Sequence, residues 1–445
     1  MESARIRRWA ARASLGLGVL VVVVLLAFAG RRGVWLVLLT AATALVVLVA
    51  GFWFLLQRGL LRWLALALAV GAPVAVVVVF AANRLLWVAL LAAGVMAAAV
   101  TAGRTALRPD RSEWALPVTD APAPTRPFVV MNPRSGGGKV LRFALQERAE
   151  ALGAEVALLD RPGTDVQQLA RDALARGADL LGVAGGDGTQ ALVAQVAAEH
   201  DVPFLVISAG TRNHFALDLG LDREDPAAGL EALRDGVEAR IDLGEINGRT
   251  FVNNASFGAY AEIVESPAYR EDKRGTTLDT LPDLLRGRRG ARLVADLGGP
   301  RVDQPQALLV SNNPYEASDL VGLGRRARLD RGVLGVIALR VDSARQAVAL
   351  VNRAHERGLQ RAETREVLVR SDEAAIPVGI DGETVRLSTP VRCSIRPGAL
   401  RVRLPRNRPG IRPPRGRLDW AALWTLATGR ADRPVGAEPA ATAPG

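Results

Sequence analysis

The first 105 residues leave this chain few options. They hold four long apolar stretches, at residues 14–30, 34–56, 63–80 and 85–103. Each is long enough to cross a hydrocarbon core of about 30 Å as an α-helix. A helix also pairs its own backbone groups, which lipid cannot do for it. Buried helices of a water-soluble domain would need a polar side, and these stretches have almost none. Trp35, Trp53, Trp63 and Trp87 stand at stretch ends, where interfacial aromatics belong. A cleaved signal peptide would account for the first stretch alone. The expectation is four transmembrane helices within residues 1–104.

Arginine sets the orientation. With the N-terminus inside, the cytoplasmic side carries Arg5, Arg7, Arg8, Arg12, Arg58, Arg62, Arg104, Arg108 and Arg111, whereas the outer loops carry Arg31, Arg32 and Arg84. The bias puts both ends of the bundle in the cytoplasm, the Arg31–Arg32 pair running against it. A multi-pass cell-membrane protein with a cytoplasmic C-terminal region follows. Prolines at 109, 117, 122 and 124 mark residues 105–126 as a linker.

Beyond the linker the texture changes. The chain has 445 residues, 49% of them apolar, enough for two or three domains with real cores. Strand and helix signals alternate over 127–240: strands at 128–131, 155–159, 180–184 and 204–208, with helices at 140–152 and 165–176 and another after 184. That alternation predicts a parallel sheet whose ligands bind at the carboxyl ends of its strands. From about residue 241 to 405 the runs are β-type, and a mostly antiparallel second domain is expected. Residues 406–445 form a basic tail with a short amphipathic helix and a disordered Pro/Ala-rich end. In that tail Trp420, Leu423, Trp424 and Ala427 share one helical face, suited to a membrane interface or to packing on the preceding domain.

Three glycine-rich stretches follow strand-like runs: Asn132-Pro-Arg-Ser-Gly-Gly-Gly-Lys139, Gly185-Gly-Asp-Gly-Thr189 and Gly210-Thr-Arg-Asn-His-Phe215. Glycines around one carboxylate let bare backbone N–H groups approach a phosphate. Asp187 can then hold the Mg²⁺ that accompanies it, and the helix after Thr189 adds positive potential. Other phosphate loops fit less well. A Walker A loop fails because Val140 follows Gly138-Lys139 and Pro133 occupies the first glycine position. Gly186-x-Gly188-x-x-Ala191 satisfies a loose dinucleotide fingerprint, but residues 204–210 lack the ribose-binding acid.

In this order and spacing the three motifs resemble the diacylglycerol kinase catalytic family, the lipid-kinase relatives that include sphingosine kinases. The resemblance covers about residues 127–405. NAD kinases share a GGDGT but not the motif at 210–216. The resemblance implies an ATP- and Mg²⁺-dependent lipid kinase: an α/β nucleotide-binding domain, then a β-sandwich, behind the membrane helices. Diacylglycerol, giving phosphatidic acid, is the leading acceptor. Another lipid alcohol (a sphingoid base, ceramide-like lipid or polyprenol) is the alternative, with an NAD kinase or a catalytically weak scaffold behind it.

Residues can be assigned on that basis. Asn132, Ser135 and Gly136, Gly137 and Gly138 form one wall of the phosphate cradle; Gly185, Gly186, Asp187, Gly188 and Thr189 form its floor; Gly210, Thr211 and Asn213 close it. Lys139 is equally a phosphate contact or a solvated lysine of the first helical turn, and Asn213 has the alternative of capping its own turn. By the residues alone Asp381-Gly382 is a hairpin turn. The family places an Asp-Gly-Glu motif there, which implies Glu383 as general base and Asp381 as its orienting neighbour or a second metal contact.

Some positions depart from the family pattern. Arg331 stands where the family has the second Asp of a structural Mg²⁺ turn, leaving Asp330 as a doubtful ligand, since a guanidinium cannot ligate a cation. Asp160-Arg161 stands where a nucleotide-contacting Thr is common, with Thr164 nearby, and His214 replaces an acid. The three histidines and Cys393 show no zinc spacing. The net charge of +11 comes largely from arginine clusters at 286–292, 325–331 and 406–417. No RNA motif or recognition helix accompanies them, so the expected partner is an anionic membrane surface rather than nucleic acid. A homo-oligomer stays open.

Overall fold

The structure of the protein is a computed structural model that describes residues 2–57, 59–108, 115–161, 163–258, 292–315, 326, 328–339, 359–411 and 418–428. Three apolar helices come first: α1 (Glu2–Leu56), α2 (Leu60–Ala82) and α3 (Leu86–Ala106). The first two expected spans therefore lie within one helix of 55 residues. The Arg31-Arg32-Gly33 junction does not end it. Arginine is a good helix former, one glycine costs only about 1 kcal/mol, and no proline or capping side chain imposes a turn. Among the described residues, helices long and apolar enough to cross a membrane number three, at Arg5–Phe28, Leu60–Ala82 and Leu86–Ala106, with Leu38–Phe54 a shorter apolar segment. At 1.5 Å per residue α1 extends about 80 Å, well beyond one bilayer core.

The first half of α1 runs antiparallel to α3. Arg7 donates from Nε to the Ala106 carbonyl (3.0 Å), and Ser14 donates from Oγ to Ala99 (2.8 Å). Phe28 meets Trp87 edge-to-face at 5.1 Å. As the α1 residue number rises, its α3 partner falls in step, so the beginning of α1 lies beside the end of α3.

The α/β part starts with β1 (Thr119–Asp120) and β2 (Pro127–Met131). It continues through α4 (Lys139–Arg142), α5 (Leu145–Ala151), β3 (Glu155–Leu158), α6 (Val166–Ala175), β4 (Leu180–Ala184), α7 (Asp187–Glu199), β5 (Phe204–Ile207) and α8 (His214–Asp218). β2 and β4 are buried at every position. This is the signature of parallel strands covered on both faces. β2 pairs in parallel with β3 and β4, and β4 with β5. The expected helix over 140–152 is instead two short helices, separated at Ala144, whose φ is +49°.

The later strands are β6 (Gly236–Ile246), β7 (Arg249–Phe251), β8 (Asn254–Gly258), β9 (Leu293–Asp296), β10 (Arg301–Asp303) and β11 (Ala307–Asn312). After them come β12 (Leu334–Leu339), β13 (Leu359–Thr364), β14 (Glu366–Ser371), β15 (Ala375–Ile380), β16 (Glu383–Ser388) and β17 (Val391–Pro405). Six of them form an antiparallel sheet in the order β13-β12-β11-β8-β15-β16. The others join the parallel strands in one mixed sheet of eleven. β17 is the join. It pairs in parallel with β5 at Val402–Phe204 and antiparallel with β6 along most of its length, shifting register between Arg396 and Leu400. β6 itself runs through the expected boundary at 240, so the α/β and β parts share a sheet as well as a chain.

The chain then returns to the apolar helices. In the last described segment, α9 (Trp420–Ala427), Asp419 caps the first turn by accepting from the N–H groups of Ala421 and Ala422. Leu423 is fully buried, and a Cβ on Gly103 of α3 would lie 2.7 Å from the Leu418 side chain and 3.2 Å from that of Leu423. Arg12 of α1 donates to the Ala427 carbonyl at 3.0 Å. Glycine at 103 thus allows α9 to sit directly on α1 and α3. The expected disorder of residues 431–445 lies outside the described residues.

Candidate active site

The carboxyl ends of β2, β4 and β5 adjoin, so the three glycine-rich loops that leave them must converge. Gly136 has φ of +55°, and a Cβ there would collide with the Ala209 carbonyl oxygen and lie 2.8 Å from that of Gly210. Gly210 in turn packs on the middle loop: its Cβ would lie 2.8 Å from Gly186 Cα and 2.9 Å from the Gly185 oxygen. Only bare backbone fits at either contact. Gly137 and Gly138 are also left-handed (φ +71° and +78°), while a Cβ on Gly186 would meet open space. Ser135 opens the short 3₁₀ turn Ser135–Gly137. The Asn132 N–H donates to Ala184 (2.9 Å), tying the first loop to the end of β4, and its side chain accepts from Arg134 N–H (3.0 Å).

Asp187 begins α7 and is nearly buried, 8% exposed. Its carboxylate accepts from the N–H groups of His214 (3.2 Å) and Phe215 (3.4 Å) at the start of α8. Burial holds this carboxyl above the usual range, against the pull of those donors and of Arg326. Thr189 lies in the first turn of α7, and Thr211 is exposed on the third loop.

Glu383 arrives from the second half of the chain. Asp381 and Gly382 both have positive φ (+48° and +91°) and join β15 to β16 as a two-residue hairpin. The hairpin reading and the site reading are therefore compatible. The turn carries exposed Glu383 onto the GGDGT loop, where a Cβ on Gly188 would lie 2.6 Å from Glu383 Oε1. Asp381 faces inward and accepts from the N–H groups of Val252 (2.8 Å), Asn253 (2.8 Å) and Asn254 (3.1 Å). Burial pushes its carboxyl up to about 7, Asp187 adding to the shift and the three N–H donors opposing it.

A buried ion pair behind these acids had no signal in the sequence. Arg326 is fully buried, and its guanidinium reaches Asp218 of α8 at 2.7 Å. It also donates to the carbonyls of Val252 and Asn312 and to the Asn253 side chain, each at 2.7 Å. One arginine thus ties the helix that positions Asp187 to the segment that holds Asp381. In the sequence Arg326 is one arginine of the 325–331 cluster.

These contacts give several of the expected residues partners within the protein. Lys139 is buried, not phosphate-facing or solvated: its Nζ donates to the Arg223 carbonyl at 2.7 Å, and burial lowers its pKa. Asn213 takes its alternative role. From a left-handed position it accepts from Gly210 N–H (2.8 Å) and donates to the Ser208 (3.0 Å) and Gly210 (2.7 Å) carbonyls, so every polar group of its amide holds the loop. Asp330 is gripped through both oxygens by Arg328 (2.5 and 2.7 Å), and no group of three or more metal-ligating side chains occurs among the described residues. The basic clusters are largely neutralised where described: Arg331 pairs with Glu363, and Arg406 with Asp120 and Asp235. Residues 286–291, 325, 327 and 412–417 lie outside the described residues. Thr164 donates to the Arg161 carbonyl (2.9 Å).

Comparison with known proteins agrees with this geometry. The diacylglycerol kinase catalytic domain profile matches residues 126–246. The chain is 30% identical over 314 residues to a protein of Pseudomonas aeruginosa (strain PAO1) described as "Probable lipid kinase YegS-like", a match covering 64% of this chain and 97% of that one. It is 34% identical over 143 residues to a diacylglycerol kinase of Bacillus subtilis (strain 168), covering 31% of this chain and 47% of that one. A crystal structure described as a putative diacylglycerol kinase from Bacillus anthracis shares the fold, with a TM-score of 0.50 at 18% identity over 63% of this chain and 96% of that one. With its glycine loops, Asp187 and Glu383 converging on one sheet end, the chain belongs to the diacylglycerol kinase catalytic-domain family and is a lipid kinase.

Proposed function

We propose that the protein transfers the γ-phosphoryl group of ATP, bound with Mg²⁺, to the hydroxyl of a membrane lipid, diacylglycerol first among candidates. The observation that carries this reading is the placement of Glu383 against Gly188, beside Asp187 and the three glycine loops. Phosphoryl transfer depends chiefly on positioning and charge neutralisation. The N–H groups of 136–138 and 185–189 cradle the phosphates, and Thr211 contacts the nucleotide. A buried carboxylate next to a phosphate cradle suits Mg²⁺, which takes one or two carboxylates and completes its shell with phosphate and water. Asp187 would hold the ion, which neutralises phosphate charge when bound. Glu383 accepts the proton of the attacking hydroxyl, an effect of about 10²- to 10⁴-fold. Asp381 fixes the turn that presents Glu383.

The apolar helices supply the membrane. Residues such as Val78 (59% exposed) and Leu60 (75%) face outward along helices with almost no polar side. Because the start of α1 lies beside the end of α3, both leave the bilayer on one side, which requires an even number of crossings. Four crossings would require α1 to turn back at residues 31–33, near the level of the α2–α3 turn. The arginine bias makes that side the cytoplasm, where ATP is.

The test is transfer of radiolabelled γ-phosphate from ATP to a panel of lipids in mixed micelles. Labelled phosphatidic acid is expected, absent in Asp187→Ala and reduced about 10²- to 10⁴-fold in Glu383→Gln. Label in another lipid alcohol would change the acceptor and keep the mechanism. A Glu383→Gln protein at full rate would remove Glu383 as the base.

A further inference from the structure

The last helix takes no part in the chemistry, and its apolar residues differ sharply in exposure. Leu423 and Ala427 of α9 are buried against α1 and α3, at 0% and 9% exposure. Trp420 and Trp424, one turn apart at the edge of that same stripe, are 46% and 57% exposed. Outside the three apolar helices, the exposed large apolar side chains among the described residues are Val118, Leu141, Leu192 and these two tryptophans. Two neighbouring bare indoles on a docked helix therefore need an explanation.

Their depth supplies one. The Arg12 contact to Ala427 and the Gly103 contacts to Leu418 and Leu423 seat α9 where the apolar spans Arg5–Phe28 and Leu86–Ala106 begin and end. If those helices cross a bilayer, this level is its headgroup region. Trp9, also 60% exposed, lies at the same level with the Arg12 guanidinium 5.5 Å from its ring centre. Arg5, Arg7, Arg8, Arg104 and Arg108 are close in sequence to these positions. Indole rings partition to the headgroup boundary, and arginine adds attraction for anionic phospholipid there.

We propose that α9 is a second membrane attachment, its Trp420 and Trp424 face seated among the headgroups of an anionic bilayer. The inference rests on the membrane reading of the apolar helices. The chain leaves those helices after α3 and returns to them at α9, so the catalytic unit is tied to the anchor at both of its ends. A lipid kinase held twice keeps its acceptor supply within reach through repeated turnovers.

The experiment uses full-length protein in phosphatidylcholine–phosphatidylglycerol vesicles. A nitroxide is placed at Ala421→Cys, beside the indoles, or at Val78→Cys inside the apolar span of α2; native Cys393 is fully buried. The label at 421 should be shielded from an aqueous nickel chelate at a shallower depth than the label at 78. A water-exposed label at 421 with a lipid-embedded label at 78 would overturn the proposal and leave the membrane reading standing. Spin–spin broadening at 421 without lipid shielding would assign the tryptophan face to a second copy of the chain, against the proposal. If both labels were aqueous, the membrane reading would fail and the proposal with it. As a second measurement, Trp420→Ala/Trp424→Ala should raise the lipid KM several-fold on vesicles while leaving kcat in detergent micelles unchanged. An unchanged vesicle KM would also count against it.

Discussion

At the scale of single residues, the site is governed by what lies behind the reacting groups. Arg326 and Asp218 are buried to 0% and 4% side-chain exposure, and each satisfies a charge that would otherwise be stranded. Removing one partner of such a pair typically costs about 3–5 kcal/mol, while replacing both with apolar groups costs far less. Arg326→Met should therefore lower unfolding stability by about 3–5 kcal/mol in denaturant titrations, and Arg326→Met/Asp218→Leu should recover a large part of it. A Met variant as stable as the wild type would show that the guanidinium is not holding α8.

Asp381 makes a prediction in pH. Its carboxyl titrates at about 7 in the fold against an ordinary value of 3.8, so the native state binds this proton more tightly than the unfolded chain does. Its contribution to stability is most favourable below about pH 4, declines as pH rises, and is fully lost above 7. Between pH 5 and 8 the metal-free wild type should thus lose more thermal stability than Asp381→Asn. Parallel melting curves for the two proteins would contradict this.

At the scale of elements, the glycine loops show how a motif becomes a site. A Gly210→Ala side chain would press on the backbone of the neighbouring loop at 2.8–2.9 Å, and such overpacking costs about 1–3 kcal/mol. A Gly186→Ala side chain would meet open space in an ordinary backbone conformation. The two substitutions should separate. Gly210→Ala is expected to lower both melting temperature and activity, whereas Gly186→Ala keeps its melting temperature and loses ATP affinity as its methyl enters the phosphate cradle. Equal losses of stability would refute the distinction. The strands that lead to these loops were legible because buried parallel strands are continuous apolar runs, as in Leu180–Ala184. The break at Ala144 was not, because nothing in 140–152 marks a left-handed residue.

At the scale of the whole molecule, the apolar region makes its own prediction. If α1 bends at residues 31–33, single cysteines at Arg32 and Arg84 will both react with an impermeant thiol reagent applied outside intact cells, and one at Arg104 will not. A pattern with Arg32 protected and Arg84 labelled would sink the four-crossing arrangement.

Several properties of this protein were settled by local chemistry. Long apolar stretches can be satisfied only out of water, glycines must be where backbone meets phosphate, and alternating strand and helix signals place three such loops on one sheet end. These need no knowledge of distant neighbours. The fates of Lys139, Asn213, Asp330 and Arg326 depend on partners 84, 3 to 5, 2 and 108 positions away. For a polar side chain the choice between facing a ligand and satisfying the protein depends on which carbonyl or carboxylate the fold brings beside it. Even for Asn213 and Asp330, whose partners are close in sequence, only the folded backbone decides whether they are within reach. The same holds for Glu383: hairpin geometry explains Asp381 and Gly382, but only the pairing of β15 with β8, and of β17 with both β5 and β6, carries that hairpin to Gly188.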